Sequence, residues 1–89
     1  MLVLPAELTH LQATACLRMM VQGLPSQEGD QVVVDASALQ SFDSSALAVL
    51  LEFGRESQAR GKSLVIRSLS PQLADLAKLY GIDELIQAA

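Results

Sequence analysis

The stretch Val32-Val33-Val34-Asp35-Ala36-Ser37-Ala38-Leu39-Gln40-Ser41-Phe42-Asp43-Ser44-Ser45-Ala46-Leu47-Ala48-Val49-Leu50-Leu51 decides how this chain folds. Val32, Val33 and Val34 are too few for a helix and too continuously apolar for a half-exposed strand, so they read as a central strand covered on both faces. A polar turn follows. An amphipathic helix then runs from about Ser44 to Arg60, with Leu47, Leu50, Leu51, Gly54 and Gln58 along one side and Gly54 allowing close approach to the sheet. It opens with Asp43, Ser44 and Ser45. A short side-chain oxygen here accepts a hydrogen bond from the N–H of the second or third helical residue, which makes these residues a cap. The same unpaired N–H groups suit a phosphate or a partner's acceptors, which makes them an address. Both readings fit the local sequence.

The pattern continues outward in both directions. Leu2-Val3-Leu4 reads as a short strand, and Pro5, which has no N–H for a ladder, places it near a sheet edge or a bulge. Thr9-His10-Leu11-Gln12 has the form of a capping box, so a helix is expected to start there. Ala13, Cys16, Leu17, Met20, Val21 and Leu24 give that helix one apolar face, ending at Gly23-Leu24-Pro25, and residues 26–30 form a polar loop. Beyond the central helix, Gly61 stops the chain and Leu64-Val65-Ile66 makes another buried strand. Ser70-Pro71 caps a further helix whose apolar face is Leu73, Leu76, Ala77 and Tyr80, closed by Gly81. Asp83 starts a last short turn through Glu84-Leu85-Ile86. Strands alternating with helices imply right-handed crossovers and a largely parallel sheet, with ligands or partners met beyond the carboxyl ends of the strands. The Leu39 to Ser45 segment lies at such an end.

Composition narrows the function. The 89 residues suit a single domain, close to the size below which one core needs a disulfide, a metal or a partner. The chain is 51% hydrophobic, yet its longest unbroken apolar run, Ala46 to Leu51, is too short to span a membrane. That combination implies a well-filled core, or a core plus a surface that another protein covers. Met1-Leu2-Val3-Leu4 lacks the basic flank and long apolar stretch of a secretion signal, so a cytoplasmic location is expected. Cys16 is the sole cysteine and reads as a small core residue. The net charge is −4 and the six basic residues are scattered, which argues against nucleic acid and against direct binding to anionic lipid.

Reaction chemistry is poorly provided for. Serine hydrolysis needs a base for Ser44, but His10, the only histidine, belongs to the start of a different helix and reads as solvated. Phe42-Asp43-Ser44-Ser45-Ala46 lacks the glycines of a nucleophile elbow. One histidine and one cysteine make no zinc site, and no glycine-rich phosphate loop with lysine is present. Asp35 and Asp43 could pair as acid and base or around Mg²⁺, but turn and cap roles suit them better. No catalytic residue, cofactor or metal is therefore expected.

The run Asp35-Ala36-Ser37, followed by Phe42-Asp43-Ser44-Ser45-Ala46-Leu47-Ala48-Val49-Leu50, resembles the signature of STAS domains, the fold of bacterial anti-sigma-factor antagonists. Leu2-Val3-Leu4-Pro5-Ala6-Glu7-Leu8 and Leu76-Ala77-Lys78-Leu79-Tyr80-Gly81-Ile82 look like the second strand and third helix of the MlaB type. That type is the small cytoplasmic subunit of a phospholipid-transporting ABC complex that maintains outer-membrane lipid asymmetry. The likeness spans nearly the whole chain and implies one α/β STAS domain over residues 1–89. Its small, mainly parallel sheet would be covered by about four helices, and the chain would start at the family's second strand. Ala46 stands where many relatives have glycine, and alanine is the better helix former.

By position, Ser44 matches the serine that a partner kinase phosphorylates in anti-sigma-factor antagonists. In MlaB-type proteins the matching residue is a hydroxyl, commonly threonine, that contacts the ATPase subunit. The resemblance thus implies a non-catalytic docking surface made of Ser37, Leu39, Gln40, Ser41, Phe42, Asp43, Ser44, Ser45 and Leu47. It would bind the ABC-transporter ATPase subunit and reach the inner membrane only through that complex. The alternative is a switch in sigma-factor control, with an anti-sigma-factor kinase as partner. There, phosphorylation of Ser44 would add about −1.5 to −2 charges beside Asp43 and repel the partner.

Overall fold

The computed structural model describes residues 2–81 and 87–88. Among the described residues six strands occur in chain order: β1 (Leu2–Val3), β2 (Glu7–Leu8), β3 (Gln31–Asp35), β4 (Ser41–Phe42), β5 (Ser63–Arg67) and β6 (Gln87–Ala88). The helices among the described residues are α1 (Ala13–Gly23), α2 (Ser44–Ala59) and α3 (Pro71–Leu79), with a 3-10 turn over Leu24–Ser26 after α1. The short turn expected around Asp83 lies outside the described residues. The mixed α/β architecture with a small parallel sheet is the one expected.

The main sheet has the order β1-β3-β5-β6, and every pairing in it is parallel. In register, Val32 lies beside Leu64, Val33 beside Val65 and Val34 beside Ile66. β1 is an edge strand, as Pro5 requires. The order of the described strands never reverses, so right-handed crossovers carry α1, α2 and α3 to one face. Burial agrees with this. Val32, Val34, Leu64 and Ile66 form one core cluster with Cys16 and Met20 of α1, Leu50 and Phe53 of α2, and Leu73 and Ala77 of α3. Val33 points to the opposite face and is only half-buried, and Val65 beside it is buried, as expected of Leu64-Val65-Ile66, but lies outside the cluster. The central strand is thus fully covered on one face only, which corrects the reading of Val32-Val33-Val34 as covered on both. A sequence of apolar residues records hydrophobicity, not the direction in which the strands are laid down.

The helices keep their expected cores with local shifts. Thr9 and Gln12 do bond to each other: the Thr9 N–H and hydroxyl both donate to Gln12 Oε1, at 3.0 and 2.8 Å. Their box closes a turn ahead of the helix, and α1 begins only at Ala13. On α2 the buried arc is Ala46, Leu47, Val49, Leu50, Phe53, Gly54 and Ser57, while Leu51 is half-buried and Gln58 exposed. The arc is wider than the expected stripe because α2 packs against α1, α3 and β5 together. Ser57 is fully buried, and its hydroxyl donates to the Phe53 carbonyl at 2.8 Å. Ser70 Oγ accepts from the Leu73 N–H at 3.2 Å, with Pro71 opening α3 as expected. Tyr80 is 61% exposed rather than part of the buried apolar face: as the C-cap of α3 it lines the rim of a surface hollow instead of entering the core.

Candidate functional site

Two short parallel strands that carry no alternating pattern build the base of the site. Glu7 pairs with Ser41 and Leu8 with Phe42, while the Ala6 carbonyl accepts the Gln40 and Ser41 N–H groups at 2.8 and 3.0 Å. This small ladder ties the chain after β1 to the segment leading into α2. Nothing in the local sequence announces it, since strands of two residues are too short to show a period.

Both aspartates do the turn and cap work expected of them. Asp35 Oδ1 accepts the Ser37 N–H at 2.9 Å, folding the chain at the end of β3. The hydrogen bonds from Ser37 hold the Asp35 carboxyl below its ordinary range, helped by the charge of Arg67. Asp43 sits in extended backbone as the N-cap of α2, its Oδ1 accepting the Ser45 N–H at 2.8 Å. Its other oxygen turns to a distant segment. Asp43 Oδ2 accepts the His10 N–H at 3.1 Å and lies 3.3 Å from the His10 ring Nδ1. Desolvation works to raise the Asp43 carboxyl, but the bonds from His10 and Ser45 outweigh it and hold it below its ordinary range.

The predicted docking residues sort by depth. Ser37, Gln40, Ser41 and Ser44 are exposed, Leu39, Phe42, Asp43 and Ser45 half-buried. Leu39 and Phe42 pack against the core from its edge. Leu47 is only 4% exposed and belongs to the core, so it forms the floor of the surface rather than a projecting contact. A hollow of about 330 Å³ between α2 and α3 is lined by Ser44, Leu47, Ala48, Leu51 and Tyr80. A second of about 330 Å³, between α1 and α2, is lined by residues including Thr14, Leu17, Ser45, Ala48 and Glu52. The exposed Ala48 is the wall they share. Small side chains at Ser44, Ser45 and Ala48 leave the start of α2 open to a close approach.

His10, expected away from Ser44, is instead drawn to the residue beside it. Its ring is 74% exposed and bonds to Asp43, and among the described residues no hydrogen bond joins it to Ser44. Nor do the described residues gather three or more histidine, cysteine or acidic groups around a common point where a metal could sit. Cys16 is buried beside Met20, and burial pushes its thiol up. No described helix is long and apolar enough to cross a membrane. The arrangement can bind; it holds no assembled set of reacting groups.

A family model described as "Mlab, STAS domain" matches residues 1–87. The chain belongs to the STAS domain family. Its fold is similar to that of a candidate anti-sigma factor antagonist of Thermotoga maritima, with a TM-score of 0.78 and 15% identity over 97% of this chain and 75% of that one. It is also similar to an anti-sigma-factor antagonist (STAS) domain protein of Planctomyces limnophilus, with a TM-score of 0.76 and 17% identity over 98% and 79% of the two chains. No curated protein matches the sequence. STAS domains are generally non-catalytic, in keeping with a site made of a helix cap and two shallow hollows.

Proposed function

We propose that this STAS domain is a non-catalytic cytoplasmic subunit that binds and stabilises the ATPase subunit of a phospholipid-transporting ABC complex maintaining outer-membrane lipid asymmetry. The match of residues 1–87 to the MlaB-type family model carries this reading, and the exposed start of α2 supplies its surface. Ser37 to Ser45 form the rim, with Leu47 as floor. Ser44 gives a hydroxyl and close packing rather than a reaction. A subunit that binds only the folded or assembled ATPase shifts that equilibrium by mass action. Contact with the inner membrane is then indirect, through the complex.

A second reading is favoured by the names of both structural neighbours, which are anti-sigma-factor antagonists. In it Ser44 is phosphorylated and the partner is an anti-sigma-factor kinase. Titration calorimetry with the purified ATPase subunit separates the two. Wild type and Ser44→Thr should bind alike, and Ser44→Glu at least tenfold more weakly, because a long charged group enters a packed contact. Equal binding by Ser44→Glu contradicts that interface. A phosphorylated Ser44 in protein from the native cell would instead favour the switch.

A further inference from the structure

We propose that Asp43 is the positioning residue of a two-segment docking platform: it locks the turn carrying His10 and Leu11 against the first turn of α2, so that Leu11 inserts into the same protein partner that covers Ser44. This rests on the docking reading of the α2 start and extends it to a segment 33 residues away.

A cap needs one carboxylate oxygen, and Asp43 Oδ1 meets that need through the Ser45 N–H at 2.8 Å. Oδ2 is left to hold His10 twice, through its backbone N–H and its ring. The β2–β4 ladder fixes the two segments only as far as Leu8 and Phe42. Between that point and the packing of α1 on α2, the Asp43 side chain ties the turn to the helix start. The turn it holds is braced internally, since the Leu11 N–H donates to Thr9 Oγ1 at 3.3 Å and Thr9 bonds to Gln12.

Leu11 projects from this turn 77% exposed. A large apolar side chain displayed on a turn braced from both sides loses little freedom on binding, which is what an interface anchor requires. The hollow between α1 and α2, lined by Ala13, Thr14, Leu17, Ser45 and Ala48 among others, joins the start of α1, which follows this turn, to the start of α2. The partner it fits has an apolar recess for Leu11 beside polar groups that reach Ser44.

The test is the affinity of the ATPase subunit of the same organism's phospholipid ABC transporter for wild type, Leu11→Ala, Asp43→Asn, their double variant and Ser44→Glu. The amide introduced by Asp43→Asn keeps an oxygen for the Ser45 N–H but turns an NH₂ toward the His10 N–H, so it cuts the tie and leaves the cap. Leu11→Ala removes a side chain that supports no core. Each single variant should bind about tenfold more weakly, Leu11→Ala with the melting temperature of wild type and Asp43→Asn with a lowered one that still leaves it folded at the temperature of the binding assay. Asp43→Asn should also speed amide exchange at His10 and Leu11. In the Leu11→Ala background it should change affinity by less than about twofold, because its effect passes through Leu11. A full tenfold loss in both backgrounds, or binding by either single variant within twofold of wild type while Ser44→Glu is weakened, overturns the proposal and leaves the docking reading standing. Wild-type binding by Ser44→Glu overturns both.

Discussion

Asp43 and His10 meet across 33 positions of sequence, the carboxylate Oδ2 accepting the histidine N–H at 3.1 Å while Oδ1 caps α2. One side chain therefore decides both where the central helix starts and which loop lies beside it.

The first consequence is a dependence on acid. The folded Asp43 carboxyl is held below its ordinary range, so its contribution to stability is fully present above the unfolded value near ~3.9 and is lost as the pH falls through the folded value. Asp35, lowered by its bonds from Ser37, acts in the same direction. Thermal melts of wild type and Asp43→Asn from about pH 7 to about pH 3 should therefore converge at the acid end, where the wild-type carboxylate is protonated. Curves that stay parallel throughout would show that the bonds to Asp43 do not favour its ionised form.

The cap of α3 gives a stability change away from the docking surface. Ser70→Ala removes the acceptor of the Leu73 N–H and should cost about 1 kcal/mol, lowering the melting temperature by roughly 4–8 °C. Differential scanning calorimetry reads this directly. Partner affinity should be unchanged.

Two positions of left-handed backbone should respond in opposite directions. Gly61 has φ +74° with open space where a Cβ would stand, so Gly61→Ala meets only the backbone penalty, about 1 kcal/mol. Ser68, at φ +61°, already carries that penalty, and Ser68→Gly should stabilise by about 0.5 kcal/mol once the freedom of glycine in the unfolded chain is counted. Urea titrations of the two variants should move the midpoint down and up respectively.

Inside α2, Phe53 and Ser57 separate packing from hydrogen bonding. Phe53→Ala empties a fully buried position and should destabilise by about 3–5 kcal/mol, much of the stability of a domain this size. Ser57→Ala should change stability by no more than about 1 kcal/mol, because the Phe53 carbonyl keeps its helical partner when the hydroxyl goes. Circular dichroism melts suffice to rank them.

These contrasts follow what is legible in the residues. The caps at Asp43 and Ser70, the stop at Gly61 and the apolar face of α1 are local, and local chemistry determines them. The β2–β4 ladder and the bond between His10 and Asp43 are not legible, because each joins segments whose own sequences carry no period and no reason to meet. Val33 misleads for a related reason: which face of a strand is covered depends on the order in which strands are laid, and three valines look alike from either side. Leu47 is legible by its spacing with Leu50 and Leu51, which puts it on the apolar side of the helix where the structure buries it; only the resemblance places it among the docking residues.

The most direct measurement is hydrogen–deuterium exchange of the domain with and without the purified ATPase subunit, read by peptide mass. Protection should concentrate in peptides covering Leu39 to Leu51 and the turn at His10 and Leu11, while the sheet face that carries the half-buried Val33 exchanges as before. Protection of that sheet face with an unchanged α2 start would contradict the docking surface.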